Sequence, residues 1–436
     1  MFRNTMRYTR LPGAILFLFI LIQAYADNFP ASKFPPNNLS PQKVPQFVNI
    51  GFDDNGFADA MNWITDFLRD KKNPSGINNP GTFDGTPART VFYLTTMYGE
   101  DQAVLEAWKT AYRDGHEIGN HTVNHYEAMA GWTQEQWETE IDSANRWMVE
   151  KIGIPKNEIW GFRTPFLAFS YMGYTHYAIK AVGLLYDCSL NAGSEIIGDG
   201  SDFYWPYTMD DGSPDEHYIK EVPGLWQIPV HYVMVSAGGR MTGFDYNLWV
   251  DLQQSKSSFV ATLKHTLDLR YNGNRAPFCF GGHTDYYSEF NETANSECNG
   301  ATWQQRREAV EEFIDYALQK PDVRFVTSRD IIQWLRNPVA LDDVTANGAP
   351  VKIKRNPLSI KLLADNTIRI SIPNPGFYHS AVYSTDGKTI MVSGTRFFSQ
   401  GTYTIPWKDI RLSHGVYCFR VEGRNTVTVR KIVVSK

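Results

Sequence analysis

Cysteine is scarce in this sequence, with four residues in a chain of 436. No two of them are spaced as Cys-x-x-Cys, which argues against a zinc site built on paired thiolates and against a disulfide scaffold. Cys279 and Cys298 bracket a loop-like segment and are the best candidates for a disulfide. Cys188 lies in an apolar run, so we expect it to be buried as a small hydrophobic residue.

The sequence also lacks long basic runs and long apolar ones. Its formal net charge is −5, so nucleic acid is not an expected partner. The apolar stretch 14-AILFLFILI-22 is too short to span a bilayer. Three arginines precede it and 24-AYA-26 follows it, an arrangement typical of a signal peptide cleaved after Ala26. We therefore expect export, to a secreted or cell-surface location.

The order of the remaining segments predicts two domains. Residues 27–45 contain five prolines and are expected to form a linker. From 46 to 338, strand-like runs alternate with helix-like ones, a pattern that favours an α/β domain with a parallel sheet, most simply a barrel. A second linker is predicted at 339–356. Short alternating strands over 357–436 predict a small all-β sandwich.

One predicted helix has clear boundaries. Thr133 followed by Gln136 has the pattern of a capping box at the start of an amphipathic stretch. Gly153 is expected to end that stretch.

Polar residues interrupt four apolar runs of the α/β region where strands are expected to end. They are the pair Asp53–Asp54, the pair His121 and His125 at positions i and i+4, Arg163 before a proline, and His283 after two glycines. Each pattern alone is more typical of turns, salt bridges or core histidines. Together they are expected to meet, because chemistry in such barrels collects at the carboxyl ends of the strands.

The four groups supply the parts of a hydrolytic metal site. Two imidazoles and one carboxylate leave coordination positions open, which is the catalytic arrangement for Zn²⁺. The second aspartate is then free to act as a general base, and Arg163 is positioned to hold it. His283 is a candidate proton donor to a leaving group.

The segments GFDD, HTVNH, FRTPF and FGGH, in this order, resemble the motifs of the carbohydrate esterase family 4 polysaccharide deacetylases, the NodB-homology enzymes. The resemblance covers about residues 46–338. It implies a distorted (β/α) barrel in which Asp53 is the general base and Arg163 positions it. It also implies His283 as the general acid. The implied metal ligands are Asp54, His121 and His125.

Two positions depart from the family pattern. Phe166 replaces the usual tyrosine of the third motif, where the backbone N–H binds the oxyanion. Phe280 replaces a more usual leucine in the fifth motif. The fourth motif is the least clear, and Asp187 in LLYDCSL is our candidate for a carboxylate that supports the site from behind the ligands.

The stretches LLYDCSL, 274-NRAPF-278 and 322-DVRFVTSRDIIQWLRNP-338 look like those of arthropod chitin deacetylases. The resemblance implies a Zn²⁺-dependent hydrolase, with Co²⁺ or Ni²⁺ also acceptable, that cleaves the N-acetyl groups of chitin or chitooligosaccharides. An acetylated polysaccharide is then the partner. The alternatives are an acetylxylan esterase of the same fold and a non-catalytic glycan-binding surface protein.

The chain ends in 414-HGVYCFRVEGRNTVTVRKIVVSK-436, which is similar to the C-terminal sorting domain of type IX secretion in Bacteroidetes. That resemblance implies export from a Gram-negative bacterium through a secretion machinery that binds this domain. An ordinary fibronectin-like or sugar-binding β-module is the alternative. We expect the protein to be a monomer.

Overall fold

The structure of the protein is a computed structural model. It describes residues 27–191, 200–214, 219–235, 239–343, 359–362, 367–372, 376–384, 388–392, 396–398, 401–406, 415–423 and 426–434. The predicted signal peptide and most of the second linker lie outside the described residues. No helix of the described part is long and apolar enough to cross a membrane.

Strands and helices alternate through the first region. The strands are β1 Gln46–Asp53, β2 Val91–Leu94, β3 Glu117–Asn120, β4 Gly161–Phe162, β5 Tyr186–Asp187, β6 Tyr207–Thr208, β7 Trp226–Gln227, β8 Tyr232–Val235, β9 Gly239–Thr242, β10 Phe278–His283 and β11 Val323–Phe325. The helices are α1 Ala58–Arg69, α2 Gln102–Arg113, α3 Gln134–Trp147, α4 Tyr174–Ala181, α5 Lys256–Asn272, α6 Glu292–Glu297, α7 Trp303–Leu318 and α8 Ser328–Arg336.

Nine of these strands form one sheet in the order β10-β1-β2-β3-β4-β5-β7-β6, with β11 also paired to β1. All pairings are parallel except that of β6 with β7. The sheet curls into an open barrel, and a backbone hydrogen bond of 2.8 Å from His231 N to Cys279 O joins its two sides. The predicted α/β fold with a distorted barrel is confirmed.

Alternation along β1 explains the two hydrophobic cores of this region. Val48, Ile50 and Phe52 belong to the core between the sheet and the helices. Phe47 belongs to the core inside the barrel, and Asp53, six residues later, points to that same face. A strand that is buried on both faces thus carries its last acidic side chain toward the barrel mouth.

The predicted disulfide is wrong. Cys279 and Cys298 are both free and buried. Cys279 lies on β10 with its side chain in the core inside the barrel, whereas Cys298 follows α6 and packs into the core on the helix side. The sheet therefore separates the two thiols. Cys188 is buried inside the barrel, as predicted.

The segment predicted as the first linker packs on the α/β region. Phe29 N donates to Thr208 Oγ1 at 2.7 Å, and the Phe29 ring centroid lies 4.6 Å from that of Trp226. Asp27 accepts a hydrogen bond from the Trp226 indole at 2.8 Å. These contacts make residues 27–45 part of the surface of this region.

The predicted helix boundaries of α3 are confirmed. The Thr133 side chain accepts from Gln136 N, and the Gln136 side chain accepts from Thr133 N. A π-helical turn, Met148–Ile152, extends the helix, and Gly153 ends it with a left-handed φ of 88°.

The C-terminal region is all-β, as predicted. One antiparallel sheet has the order β12-β13-β17, and a second has the order β15-β14-β18-β19 with β16 paired to β14. The strands are β12 Ser359–Leu362, β13 Thr367–Ile372, β14 Gly376–Ser384, β15 Thr389–Val392, β16 Arg396–Phe398, β17 Gly401–Pro406, β18 Gly415–Gly423 and β19 Thr426–Val434.

Candidate metal centre and active site

Asp54, His121 and His125 come together at the carboxyl ends of β1 and β3. One potential ligand atom from each lies within 4.8 Å of the other two. Asp54 Oδ1 is 3.3 Å from His125 Nε2 and 3.8 Å from His121 Nε2. Ligand atoms around a tetrahedral zinc ion lie about 3.3 Å apart, as zinc–nitrogen and zinc–oxygen distances near 2 Å require. The spacing of these three side chains fits such an ion.

Backbone conformation turns these side chains toward one another. Asp54 has φ 63° and His125 has φ 51°, both in the left-handed region that side-chain-bearing residues rarely adopt. Because of the left-handed turn at Asp54, the Asp54 side chain faces the histidines, whereas that of Asp53 faces Arg163 inside the barrel. Strained backbone of this kind is concentrated at functional sites.

Hydrogen bonds orient two of the three candidate ligands. His121 Nδ1 lies 2.7 Å from the Arg163 carbonyl oxygen, which can only accept, so Nδ1 carries the proton and Nε2 is free to bind a metal. Thr95 Oγ1 donates to Asp54 Oδ1 at 2.9 Å. The site is therefore held in a ligating geometry by β2 and β4 as well as by its own strands.

Electrostatics favours the protonation states that a metal ion needs. Burial lowers the pKa of His121 by more than the charges of Asp53 and Asp54 raise it, so the imidazole is neutral. Burial raises the pKa of Asp54, but the three neighbouring histidines and the hydrogen bond from Thr95 together outweigh burial, so the net shift is downward. A neutral imidazole beside an ionised carboxylate is the donor set of a divalent transition metal.

Asp53 is paired with the buried Arg163. Arg163 Nη1 donates to Asp53 Oδ1 at 2.8 Å, and its Nε donates to the Cys188 carbonyl oxygen at 2.9 Å. The Asp53 side chain is 10% exposed, and that of Arg163 is 1% exposed. The structure therefore brings together the two residues predicted as base and positioning arginine, next to the candidate metal ligands.

His283 lies beside Asp53 because β10 and β1 are neighbours. Their register aligns His283 with Asp53. His283 Nδ1 is 3.1 Å from Asp245 Oδ1, and its backbone N–H donates to the same carboxylate. Burial lowers the pKa of His283, but the Asp245 charge and hydrogen bond, with the charges of Asp54 and Asp53, outweigh it and raise the pKa to about 10. The imidazole is thus held protonated and available as an acid.

Phe166 lies at the mouth of the site. The residue is 62% exposed, and its ring centroid is 4.6 Å from that of the His125 ring. It follows Pro165 in a short turn and has φ 55°. The structure places this residue next to a candidate ligand, which is compatible with the predicted role of its backbone N–H.

Asp187 is not brought into contact with the other predicted site residues. Its carboxylate accepts from Ser189 N at 3.0 Å and from Ser189 Oγ at 2.6 Å, and it lies 3.4 Å from His176 Nε2. The carboxylate behind His283 is Asp245, which the sequence analysis missed. Its signal is weak: an acidic residue after the apolar Phe244, in a segment without a regular pattern.

Comparisons with known proteins find similarity to polysaccharide deacetylases. Residues 82–186 match the family model for polysaccharide deacetylase. The chain is 27% identical over 316 residues to chitin deacetylase 8 of Bombyx mori, covering 70% of this chain and 74% of that protein. It is 26% identical over 320 residues to chitin deacetylase 1 of Bombyx mori, covering 70% of this chain and 53% of that protein.

Among solved structures, the chitin deacetylase of the fungal pathogen Colletotrichum lindemuthianum matches with 13% identity and a TM-score of 0.35, over 68% of this chain and 92% of that chain. Residues 82–186 are thus similar to polysaccharide deacetylases, and the relatives of the chain include chitin deacetylases.

Proposed function

We propose that this protein is a metal-dependent hydrolase that removes N-acetyl groups from chitin or chitooligosaccharides and releases acetate. One observation carries the proposal: the candidate ligand triad, the Asp53–Arg163 pair and the His283–Asp245 pair converge at one edge of one sheet. The matches to chitin deacetylases support the choice of bond and glycan.

The chain's own residues account for the proton transfers of an amide hydrolysis. Asp53, held by Arg163, accepts a proton from the attacking water. The Phe166 N–H donates to the oxygen of the tetrahedral intermediate, where negative charge develops. His283, protonated beside Asp245, delivers a proton to the departing sugar amine. Without that proton the amine is too poor a leaving group.

A divalent metal would be held by Asp54, His121 and His125. When bound, it supplies Lewis acidity and lowers the pKa of a coordinated water to about 7. Zn²⁺ fits the donor set best, and Co²⁺ or Ni²⁺ fits it as well.

The test is acetate release from chitooligosaccharides by the purified protein. We expect release that a chelator abolishes and that added Zn²⁺ or Co²⁺ restores. Absence of release from a panel of acetylated glycans, with metal supplied, would refute the proposal. Release from acetylxylan but not from chitooligosaccharides would assign the site to ester hydrolysis instead.

We also propose that the protein is exported, on the grounds of its signal-peptide-like N-terminus and sorting-like C-terminus. Mass spectrometry of the protein from culture medium or cell surface checks this. A chain that begins at Asp27 is expected, and an intracellular chain that retains residues 1–26 would contradict it.

A further inference from the structure

A column of buried side chains lies beneath the Arg163 guanidinium inside the barrel. The ring centroid of Tyr93, on β2, is 4.4 Å from the guanidinium carbon. The Tyr93 hydroxyl lies 3.2 Å from that of Tyr186, on β5, and Tyr186 donates to Glu117 Oε1 at 3.0 Å. Glu117 Oε2 accepts from Arg329 N at 2.9 Å, at the start of α8. The Tyr93 column thus runs from the candidate active site to a helix at the opposite edge of the sheet.

The hydrogen bonds in this column have a defined direction. When Glu117 is ionised, Tyr186 uses its single proton on that carboxylate, so the Tyr186 oxygen accepts from Tyr93. The Tyr93 ring is therefore fixed at its hydroxyl end by Tyr186 and is free to present its face to Arg163. All three tyrosine and glutamate side chains are buried, so water does not compete for these bonds.

Tyr93 supplies a contact that the hydrogen bonds of Arg163 do not. The guanidinium donates to Asp53, to the Gly51 carbonyl oxygen at 3.2 Å and to the Cys188 carbonyl oxygen. These bonds leave from the edges of a planar group, and an aromatic ring against its face restrains the tilt of the plane. Among the described residues, Tyr93 is the aromatic ring that lies over this guanidinium.

The strands around the column leave space for it. A Cβ on Gly51 would lie 2.6 Å from Arg163 Nη2 and 2.9 Å from the Tyr93 ring. A Cβ on Gly161 would lie 1.8 Å from Tyr186 Cζ. The interior of such barrels is commonly filled by branched aliphatic side chains, so glycines on β1 and β4 reserve this volume for the arginine and the two rings.

We propose that Tyr93 is a positioning residue for this reaction: its ring face fixes the plane of the Arg163 guanidinium and thereby the direction in which Asp53 presents its carboxylate. Its hydroxyl serves to hold the ring through Tyr186 and Glu117. The inference rests on the proposed function, because it concerns the residue proposed there as general base.

Two substitutions separate the ring from the hydroxyl. Tyr93→Phe keeps the face over Arg163, and we expect its kcat on a chitooligosaccharide to stay within about three-fold of the wild type. Tyr93→Leu removes the face, and its kcat should fall at least about ten-fold, since a small misplacement of a catalytic group has a large effect on rate. Bound metal should be unchanged in both variants, because Tyr93 is not among the candidate ligands. KM should also be unchanged, because the Tyr93 side chain is fully buried.

Phe47→Leu is the matched control. Phe47 is buried in the same interior core, on β1, but its ring packs on Phe83 and Trp334 instead of on Arg163. The Phe47→Leu substitution should lower thermal stability as Tyr93→Leu does, while kcat per folded molecule stays that of the wild type. A wild-type kcat in Tyr93→Leu, or an equal loss of kcat in Phe47→Leu, would overturn the positioning role.

Crystal structures of the two Tyr93 variants test the geometry without any activity. In Tyr93→Phe the contact between Arg163 Nη1 and Asp53 Oδ1 should remain near its present 2.8 Å, and in Tyr93→Leu the guanidinium should tilt and lose it. An undisturbed contact in Tyr93→Leu refutes the inference. A wild-type protein that releases no acetate refutes the proposed function instead, so the two failures are distinguishable.

Discussion

Two adjacent aspartates have different surroundings, and backbone geometry is the reason. Asp53 is the last residue of β1 and continues the alternation that points into the barrel, where Arg163 meets it. Asp54 leaves the strand in a left-handed conformation and faces His121 and His125 instead. One step along the chain therefore separates a candidate base from a candidate ligand.

Substitution of each aspartate should separate metal binding from turnover. Asp54→Ala removes a ligand, so we expect the purified protein to lose its metal. Asp53→Asn keeps the shape of the side chain but cannot accept a proton, so metal should stay and kcat should fall by about 10²-fold or more. Elemental analysis together with acetate release measures both. Equal metal loss in the two variants would show that the roles are wrongly divided.

The His283–Asp245 pair should matter most when the leaving group is poor. Asp245→Asn removes the charge that keeps His283 protonated, so we expect kcat on an N-acetylated oligosaccharide to fall about 10- to 100-fold. An activated aryl acetate, whose leaving group needs no proton, should be affected much less. Asp251→Asn, at an exposed carboxylate six residues along the chain, is the control and should behave as wild type. Equal losses on both substrates would argue against an acid role.

At the scale of elements, helix α3 supports the loop that carries the candidate ligands. Glu140 Oε1 accepts from Val123 N at 3.0 Å and from Asn124 N at 2.7 Å. Backbone donors thus tie the loop between His121 and His125 to the helix, and this contact stabilises the left-handed turns of the loop.

Removing that tie should weaken metal binding without removing a ligand. Glu140→Ala is expected to lower metal affinity about ten-fold, the low end of what supporting contacts contribute. Glu140→Gln keeps an acceptor oxygen and should recover most of the affinity. Glu138→Ala, on the same helix but bonded to Gln134, is the control. Calorimetric titration of the apoprotein with Zn²⁺ reports all three, and unchanged affinity in Glu140→Ala would contradict the role.

The sequence predicted the elements and brought out several candidate site residues because both are encoded locally. The carboxyl ends of β1 and β3 are visible as polar residues after apolar runs, and the Thr133 capping box marks α3 directly. Asp245 escaped prediction because its partner His283 is 38 residues away and no local pattern links them. The Tyr93 column escaped it because contacts across a barrel interior depend on which strands face each other.

At the scale of the whole molecule, burial of charge beneath the site links stability to pH. Glu117 is buried and contacts Tyr186 on β5 and Arg329 on α8, with Asp330 nearby. Burial raises the pKa of Glu117 to about 7, from an ordinary value of 4.5, against the lowering effect of its hydrogen bonds and of Arg329. The folded protein therefore holds a proton between these pH values that the unfolded chain releases.

Loss of this proton makes the fold less stable as pH rises through that window. The folded state binds more protons than the unfolded state from pH 4.5 to 7, so the free energy of unfolding falls with pH there. A shift of this size corresponds to about 3 kcal/mol at most, which is large against the net stability of a domain.

Glu117→Gln cannot titrate but keeps an acceptor for Tyr186. The melting temperature of Glu117→Gln minus that of the wild type should therefore increase from pH 4.5 to 7. Other groups titrate in the same window, but they are common to both proteins and cancel in the difference. A gap that stays constant across that range would mean that Glu117 is not the buried acid that sets this dependence.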